Sequence, residues 1–137
     1  MRSLWISIVL LLGACAGASD MRGASQADSK GVVLIRDAQI LFGAAAYCSQ
    51  PATIDLAKVE AATPEGREIV AANVSSGSAR YRILRSAMHN RLITACAEVA
   101  RGDGFDLVVC VGDIADDRGL HVGDLTAAVA RFVRRSP

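Results

Sequence analysis

The sequence predicts an α+β domain, in which a small β-sheet body carries a projecting αα-hairpin and a C-terminal helix. Three observations favour this fold class. Apolar residues recur at helical spacing after Tyr81, a β-rich run follows at residues 105–111, and a helix-start signature precedes both at residues 63–66. A helix with an apolar stripe needs a partner to cover that stripe, so the two predicted helices are expected to pair.

Length and composition limit the possible functions. The 137 residues suggest one folded domain. With 52% hydrophobic but only 4% aromatic residues, the chain is suited to helix seams and a small sheet rather than to a large aromatic pocket. The formal net charge of +1 argues against nucleic acid as a partner, because phosphate binding needs a concentrated basic face.

The N-terminal segment has the features of a lipoprotein signal peptide at residues 1–14. Arg2 is followed by an apolar run at residues 4–12, which is too short to span a membrane as a mature helix. The residues Leu12-Gly13-Ala14-Cys15 resemble a bacterial lipobox, in which the cysteine thiol is lipidated and becomes the mature N-terminus. The alternative is an ordinary secretory signal that contains a cysteine near its cleavage point.

Lipidation at Cys15 would place the protein in the cell envelope, facing the periplasm. Ala16 rather than Asp follows the cysteine, so the enterobacterial sorting rule predicts the outer membrane. Residues 15–30 are small and polar without an apolar period, and they are predicted to form a flexible tether. Residues 31–137 then form the predicted folded domain.

The first half of this domain contains short elements. A strand is predicted at residues 32–35, a turn or short helix at 37–46, and a second strand at 52–55 before helical turns that begin at Leu56. Thr63, Pro64 and Glu65 supply a hydroxyl N-cap, a proline at the first helical position and an acid near the positive helix end. These features predict the start of the first arm of the hairpin.

The second arm begins near Tyr81 and carries an apolar stripe. Its members recur at steps of three and four residues: Leu84, Met88, Leu92, Ala95 and Val99. Gly102 and Gly104 are expected to stop this helix, which bounds the hairpin at about residues 56–102. We interpret the stripe as a candidate client-binding or oligomer face, and packing within the chain remains the alternative.

The C-terminal part begins with the buried strand predicted at residues 105–111. A polar loop is expected at 115–121, and Asp124-Leu125-Thr126 leads a final helix that ends near Val133. The cysteines at 48, 96 and 110 could form one disulfide and leave a free thiol, or remain three buried thiols. They have no CxxC spacing and no nearby histidine in sequence, so no metal site is predicted.

Several short motifs are similar to those of the Skp/OmpH family of periplasmic chaperones. They occur in the family's order: Ile54-Asp55, Lys58-Val59, Pro64-Glu65-Gly66, Val99-Ala100, residues 104–109 and Asp124-Leu125-Thr126. The resemblance covers about residues 52–133. In the family, terminal segments build a β-rich body that trimerises, and a long helical hairpin projects from each subunit to cage unfolded outer-membrane proteins.

This resemblance implies a non-enzymatic, chaperone-type protein that binds unfolded or outer-membrane polypeptides. It also implies a homo-oligomer, a trimer if the family's assembly is kept, that is attached to the membrane through its lipid and uses no cofactor. The hairpin predicted here is shorter than the family's. A structural or scaffold envelope lipoprotein without chaperone activity is therefore the second hypothesis.

A hydrolase is a distant third hypothesis. Residues 112–119, GDIADDRG, resemble the GDxxDRG motif of metallophosphoesterases, in which carboxylates hold two metal ions. The segment is one residue too long, and neither the DxH nor the GNH motif accompanies it. The chain also lacks a GxSxG elbow and a phosphate-binding glycine loop, so no catalytic, cofactor-binding or metal-binding residue is predicted.

Overall fold

The computed structural model describes residues 31–136, which form the predicted α+β fold. The six strands are β1 (Val33–Leu34), β2 (Ile40–Gly43), β3 (Pro51–Ile54), β4 (Leu107–Cys110), β5 (Ile114–Asp116) and β6 (Gly123–Asp124). The four α-helices are α1 (Leu56–Ala62), α2 (Pro64–Ala71), α3 (Ala79–Asp103) and α4 (Thr126–Arg135). The predicted signal peptide, Cys15 and the tether lie outside the described residues.

The strands form two small sheets. The larger has the order β2-β4-β3-β6, with β2 antiparallel to β4, whereas β3 is parallel to both β4 and β6. The smaller is an antiparallel ribbon of β1 and β5. Because β3 and β4 are parallel, the chain must cross over between them, and α1, α2 and α3 supply that connection.

Strand β4 separates two apolar cores. Val108 faces the larger core, which α1, α3 and α4 cover, while Leu107 and Val109 face a smaller core with Val32 and Cys48. This arrangement follows from the alternation of side chains along a strand. A β4 strand buried on both faces explains why its sequence is apolar without alternation.

The first arm of the hairpin is bent at Thr63, between α1 and α2. The Thr63 hydroxyl accepts a hydrogen bond from the Gly66 amide at 2.9 Å and donates one to the Glu60 carbonyl oxygen at 2.7 Å. It therefore links the end of α1 to the start of α2 while its own polar atom is fully buried. The predicted N-cap at Thr63 is confirmed.

The second arm, α3, has 25 residues, or about 37 Å at 1.5 Å per residue. Ser78 caps its start, since the Ser78 hydroxyl accepts from the Tyr81 amide. Gly104 ends it in the left-handed conformation with φ of 80°. Of the two predicted stop residues, Gly104 is confirmed, but Gly102 lies within the last turn of α3.

Two sequence predictions in the sheet body are only partly right. The segment predicted as a turn or short helix at 37–46 contains β2, followed by a 3₁₀ turn at Ala45–Tyr47. The polar loop predicted at 115–121 is confirmed at residues 117–121, but its first two residues belong to β5. Both strands are very short, and each exists because it pairs with a distant segment, β2 with β4 and β5 with β1.

No helix among residues 31–136 is both long and apolar enough to cross a bilayer.

Candidate functional site

The predicted apolar stripe of α3 lies mostly inside the protein. Met88, Leu92 and Ala95 are buried in the larger core, and Leu84 and Val99 are half-buried. The side chains that cover the stripe come from α1, α4 and the larger sheet of the same chain. In this structure the central part of the stripe is therefore not available to a client or to another subunit.

Ion pairs also connect the two arms of the hairpin. Three arginines of α3 each reach a glutamate of the first arm: Arg80 to Glu68 at 2.6 Å, Arg85 to Glu60 at 3.0 Å and Arg91 to Glu65 at 3.1 Å. The Arg91 pair is the least exposed of the three, and Arg91 also donates to the Ser136 carbonyl oxygen at 3.0 Å. Because exposed ion pairs contribute little to stability, the burial of the stripe in the larger core is what mainly keeps the hairpin closed.

The tip of the hairpin has exposed apolar side chains. Val70, one residue before the end of α2, is 79% exposed, and Ile83, one turn into α3, is 69% exposed. Neither belongs to the stripe, and their exposure could not be read from helical spacing. Exposed aliphatic groups can contact other polypeptides without any opening of the core.

A cleft of about 490 Å³ lies at the carboxyl ends of the parallel strands β3 and β4. Its lining includes Asp37, Asp55, Cys110 and Asp113. Each of the last three already has a partner: Asp55 forms an ion pair with Lys58 at 3.0 Å, Asp113 accepts from the Gln39 amide, and the Cys110 thiol faces the Gln39 side chain. Hydrogen bonding to Lys58 lowers the pKa of Asp55, which makes this carboxyl a poor general base.

The three cysteines of the described chain are free thiols. Burial raises the pKa of Cys96 to about 12, with a smaller contribution from Cys110 nearby. Burial also raises the pKa of Cys110, and the carboxylates of Asp113 and Glu60 add to this effect. Both thiols are therefore protonated near neutral pH, which is the opposite of what a nucleophilic cysteine requires.

The acidic segment at residues 112–119 contains β5 and the turn that follows it. Asp116 and Asp117 accept hydrogen bonds from the amides of Arg118 and Gly119, each at 2.8 Å. Arg118 has a positive φ of 52°, and these two bonds stabilise the turn around it. Among residues 31–136, no group of three His, Cys, Asp or Glu side chains is arranged to hold a metal ion.

A second exposed apolar group lies on α4. Phe132 is 36% exposed and lines a groove of about 540 Å³ between the last turns of α3 and α4. The sequence predicts the final helix but not this groove, since the position of α3 beside α4 is a long-range feature.

No protein-family model, curated protein or solved structure matches the chain.

Proposed function

We propose that this protein binds unfolded or outer-membrane polypeptides in the periplasm, as a non-enzymatic protein similar to the Skp/OmpH family. The observation that carries the proposal is the pair of exposed aliphatic side chains at the hairpin tip, Val70 and Ile83. Burying such groups against an apolar segment of a client is favourable by about 25 cal/mol for each Å² removed from water. Their position next to the turn between α2 and α3 makes them accessible to an extended chain.

The positions of the family-like motifs support this proposal. Pro64-Glu65-Gly66 starts α2, residues 104–109 lead from the Gly104 cap into β4, and Thr126 is the first residue of α4. These three motifs thus stand at or just before the beginning of a helix or strand, whereas Lys58-Val59 and Val99-Ala100 lie within helices. The Skp/OmpH resemblance would require this arrangement of a small sheet, a helical pair and a closing helix.

The proposal includes a lipid anchor at Cys15, attachment to the outer membrane and assembly into a homo-oligomer, with three subunits if the family's assembly is kept. An anchored protein would act on polypeptides that pass close to the membrane. The chain from residue 15 to residue 31 could span at most about 58 Å when fully extended, at no more than about 3.6 Å per residue. The lipid would therefore hold the folded domain near the membrane surface.

The second candidate function is a structural or scaffold lipoprotein without chaperone activity. The burial of Met88, Leu92 and Ala95 within one chain favours it, because the inner face of the hairpin is already occupied. On this hypothesis the hairpin is a packing element, and Val70 and Ile83 are isolated surface residues of the kind found on many proteins.

A chaperone assay separates the two candidates. An unfolded β-barrel protein is diluted from denaturant, and its aggregation is followed by light scattering with and without this protein. We expect the wild type to suppress aggregation and the Val70→Lys/Ile83→Lys variant to lose that effect, since charge at the tip prevents apolar contact. Tyr47→Lys is the control, because Tyr47 is equally exposed, at 80%, but lies in the sheet body.

Circular dichroism of each variant verifies that its helices are intact. If the folded wild type leaves aggregation unchanged, the chaperone proposal fails and the scaffold function is favoured. If the tip variant suppresses aggregation as well as the wild type does, Val70 and Ile83 are not the contact.

A further inference from the structure

The groove between α3 and α4 combines an apolar floor with unneutralised positive charge. Val99 on α3 and Ala128 and Phe132 on α4 supply apolar surface, while Arg131 and Arg135 lie along one wall. At about 540 Å³, the groove falls within the size range of ligand sites in proteins. Asp103 is the single carboxylate in its lining, so the charge of the groove is positive.

Most arginines of α3 differ from those of α4. Arg80, Arg85, Arg91 and Arg101 on α3 each form an ion pair with a glutamate, whereas Arg82 forms none among residues 31–136. Within the same residues, no arginine of α4 has a carboxylate within ion-pair distance. Most of the positive charge of α3 is therefore paired with a carboxylate of the chain, whereas that of α4 is not.

Helix capping explains only part of this arrangement. Arg131 donates to the Ala127 carbonyl oxygen at 3.4 Å and Arg134 to that of Ala130 at 3.0 Å, and cations near a helix C-terminus are favourable. Capping does not account for the exposure of the Phe132 ring, which lies between Arg131 and Arg135 in the sequence. It also does not account for the open space beside Gly102. A Cβ atom built on Gly102 would meet nothing within 4 Å.

From these contacts we infer that the α3–α4 groove binds a polypeptide segment in which apolar side chains alternate with carboxylates. The apolar side chains would pack on Val99 and Phe132, and the carboxylates would pair with Arg131 and Arg135. Charge complementarity selects this partner, because a guanidinium that has no carboxylate partner within the chain can bind one from another molecule through charge-assisted hydrogen bonds. The inference rests on the proposed function, and it supplies a client contact outside the closed inner face of the hairpin.

The first test measures peptide binding to the full chain by fluorescence anisotropy. The probe is a labelled peptide in which leucine and phenylalanine alternate with glutamate, and the comparison peptide carries lysine in place of glutamate. We expect the glutamate peptide to bind, more weakly as salt is raised, and the lysine peptide to show no binding. Equal binding of the two peptides would overturn the inference.

Adjacent arginines provide a matched pair of variants. Arg135 lines the groove, whereas Arg134 lies on another face of α4, beside Asp124 and Lys58. Arg135→Glu and Arg134→Glu change the net charge equally and place the same unfavourable charge in the last turn of α4. We expect about tenfold weaker binding for Arg135→Glu alone, the size of loss typical of an important interface residue. Equal losses for both variants would show a general charge effect and would contradict the inference.

Two substitutions to leucine provide a steric pair. Gly102→Leu places a side chain in the groove without removing charge, and Ala46→Leu adds an apolar side chain at an exposed position of the sheet body, outside the groove and the hairpin tip. We expect Gly102→Leu to abolish peptide binding and Ala46→Leu to leave it unchanged. Peptide binding that survives a folded Gly102→Leu variant would show that the groove is not the site.

The remaining outcomes identify other partners. A second outcome is that the wild type does not bind the peptide but binds anionic phospholipid vesicles, and that Gly102→Leu and Arg135→Glu reduce this vesicle binding. In that case the groove binds a membrane surface and the inference fails. If these two variants instead lower the mass of the protein in solution, its partner is a second copy. Failure of the proposed function is a separate result, since it appears as wild-type protein that does not suppress aggregation. If suppression of aggregation is lost in the hairpin-tip variant but not in the groove variants, the proposed function is supported and the inference that the groove binds clients is contradicted.

Discussion

At the scale of a single residue, Asp106 connects the loop before β3 to the start of β4. Its carboxylate accepts hydrogen bonds from the Ser49 amide at 2.7 Å, the Ser49 hydroxyl at 2.9 Å and the Gln50 amide at 3.0 Å. Burial alone would raise the pKa of Asp106, but the hydrogen bonds from Ser49 and Gln50 outweigh it and hold the pKa below the ordinary value of 3.8. One side chain thereby positions the strand that both cores depend on.

We expect Asp106→Asn to lower the free energy of unfolding by about 1–2 kcal/mol at neutral pH, the range for losing charge-assisted hydrogen bonds. A carboxyl whose pKa is lowered by folding contributes its full stabilisation of the folded state above its unfolded pKa of about 3.9, and this contribution is lost as the pH falls through the folded pKa. The difference in free energy of unfolding between variant and wild type should therefore shrink below about pH 4. Urea unfolding at several pH values measures this difference, and Asp103→Asn, at an exposed position, is the control.

Cys96 and Cys110 should differ in their reaction with an alkylating reagent. Cys96 is fully buried and its pKa is raised to about 12, whereas Cys110 is only partly buried. Only a thiolate that the reagent can reach will react, so we expect Cys110 to be modified first in the native protein. Cys96 should react only once the chain is unfolded. Peptide mass mapping over time follows each site, and equal native rates would contradict the structure's placement of Cys96.

At the scale of elements, the bend between α1 and α2 depends on Gly66. The Gly66 Cα lies so close to the Glu60 carbonyl oxygen that an added Cβ would overlap it. Alanine normally stabilises a helix relative to glycine by about 0.5–1 kcal/mol. The contact with Glu60 reverses that preference, because the overlapping atom is backbone and cannot move without shifting α1.

Gly66→Ala and Gly102→Ala form a matched pair of helix substitutions. We expect Gly66→Ala to destabilise the protein by about 1–3 kcal/mol, the usual range for overpacking. Gly102→Ala should instead raise the free energy of unfolding by about 0.5–1 kcal/mol, since its Cβ meets open space within α3. Thermal and urea unfolding measure both changes. Changes of the same sign would show that the tight contact at Gly66 is relieved by a small shift.

The sequence predicts those elements whose signals are local. Thr63 and Gly104 act within four residues of themselves, so the start of α2 and the end of α3 could be predicted from side-chain chemistry. Strands β2 and β5 could not be predicted in this way, because each is fixed by pairing with a distant segment. The partners Ile40 and Val109 of β2 and β4 are almost 70 residues apart, and the partners Val33 and Asp116 of β1 and β5 are more than 80 residues apart. The stripe of α3 was visible, but its covering by α1 and α4 is also long-range.

The candidate site also depends on long-range packing that local sequence signals do not contain. Periodicity selects residues that share a helix face and gives no information on whether that face is covered. Met88 and Leu92 are prominent in the sequence and buried in the structure, while Val70, Ile83 and Phe132 are exposed without belonging to a pattern. The candidate binding surfaces could therefore be identified only from the tertiary packing.

At the scale of the whole molecule, the exposed apolar residues of the sheet body bear on assembly. Val111, which directly follows β4, is 63% exposed, and Ile40, which pairs with Val109 of β4, is 45% exposed. Ile35, also exposed, donates its amide to the Asp113 carbonyl oxygen close by. We call these three exposed side chains of the sheet body, which lie apart from the tip of the hairpin, the candidate contact area.

Because the stripe of α3 is covered within one chain, we expect a homo-oligomer of the proposed kind to assemble through this body. We expect light scattering of residues 20–137 to give a mass above that of one chain, and three chains if the family's assembly is kept. Val111→Lys should lower that mass, since a buried lysine at a subunit contact is costly, without loss of helical signal. Ile83→Lys is the control, because it adds the same charge at the hairpin tip. A wild-type mass of one chain would contradict the proposed oligomer, and an oligomer that Val111→Lys leaves intact would exclude this area as the contact.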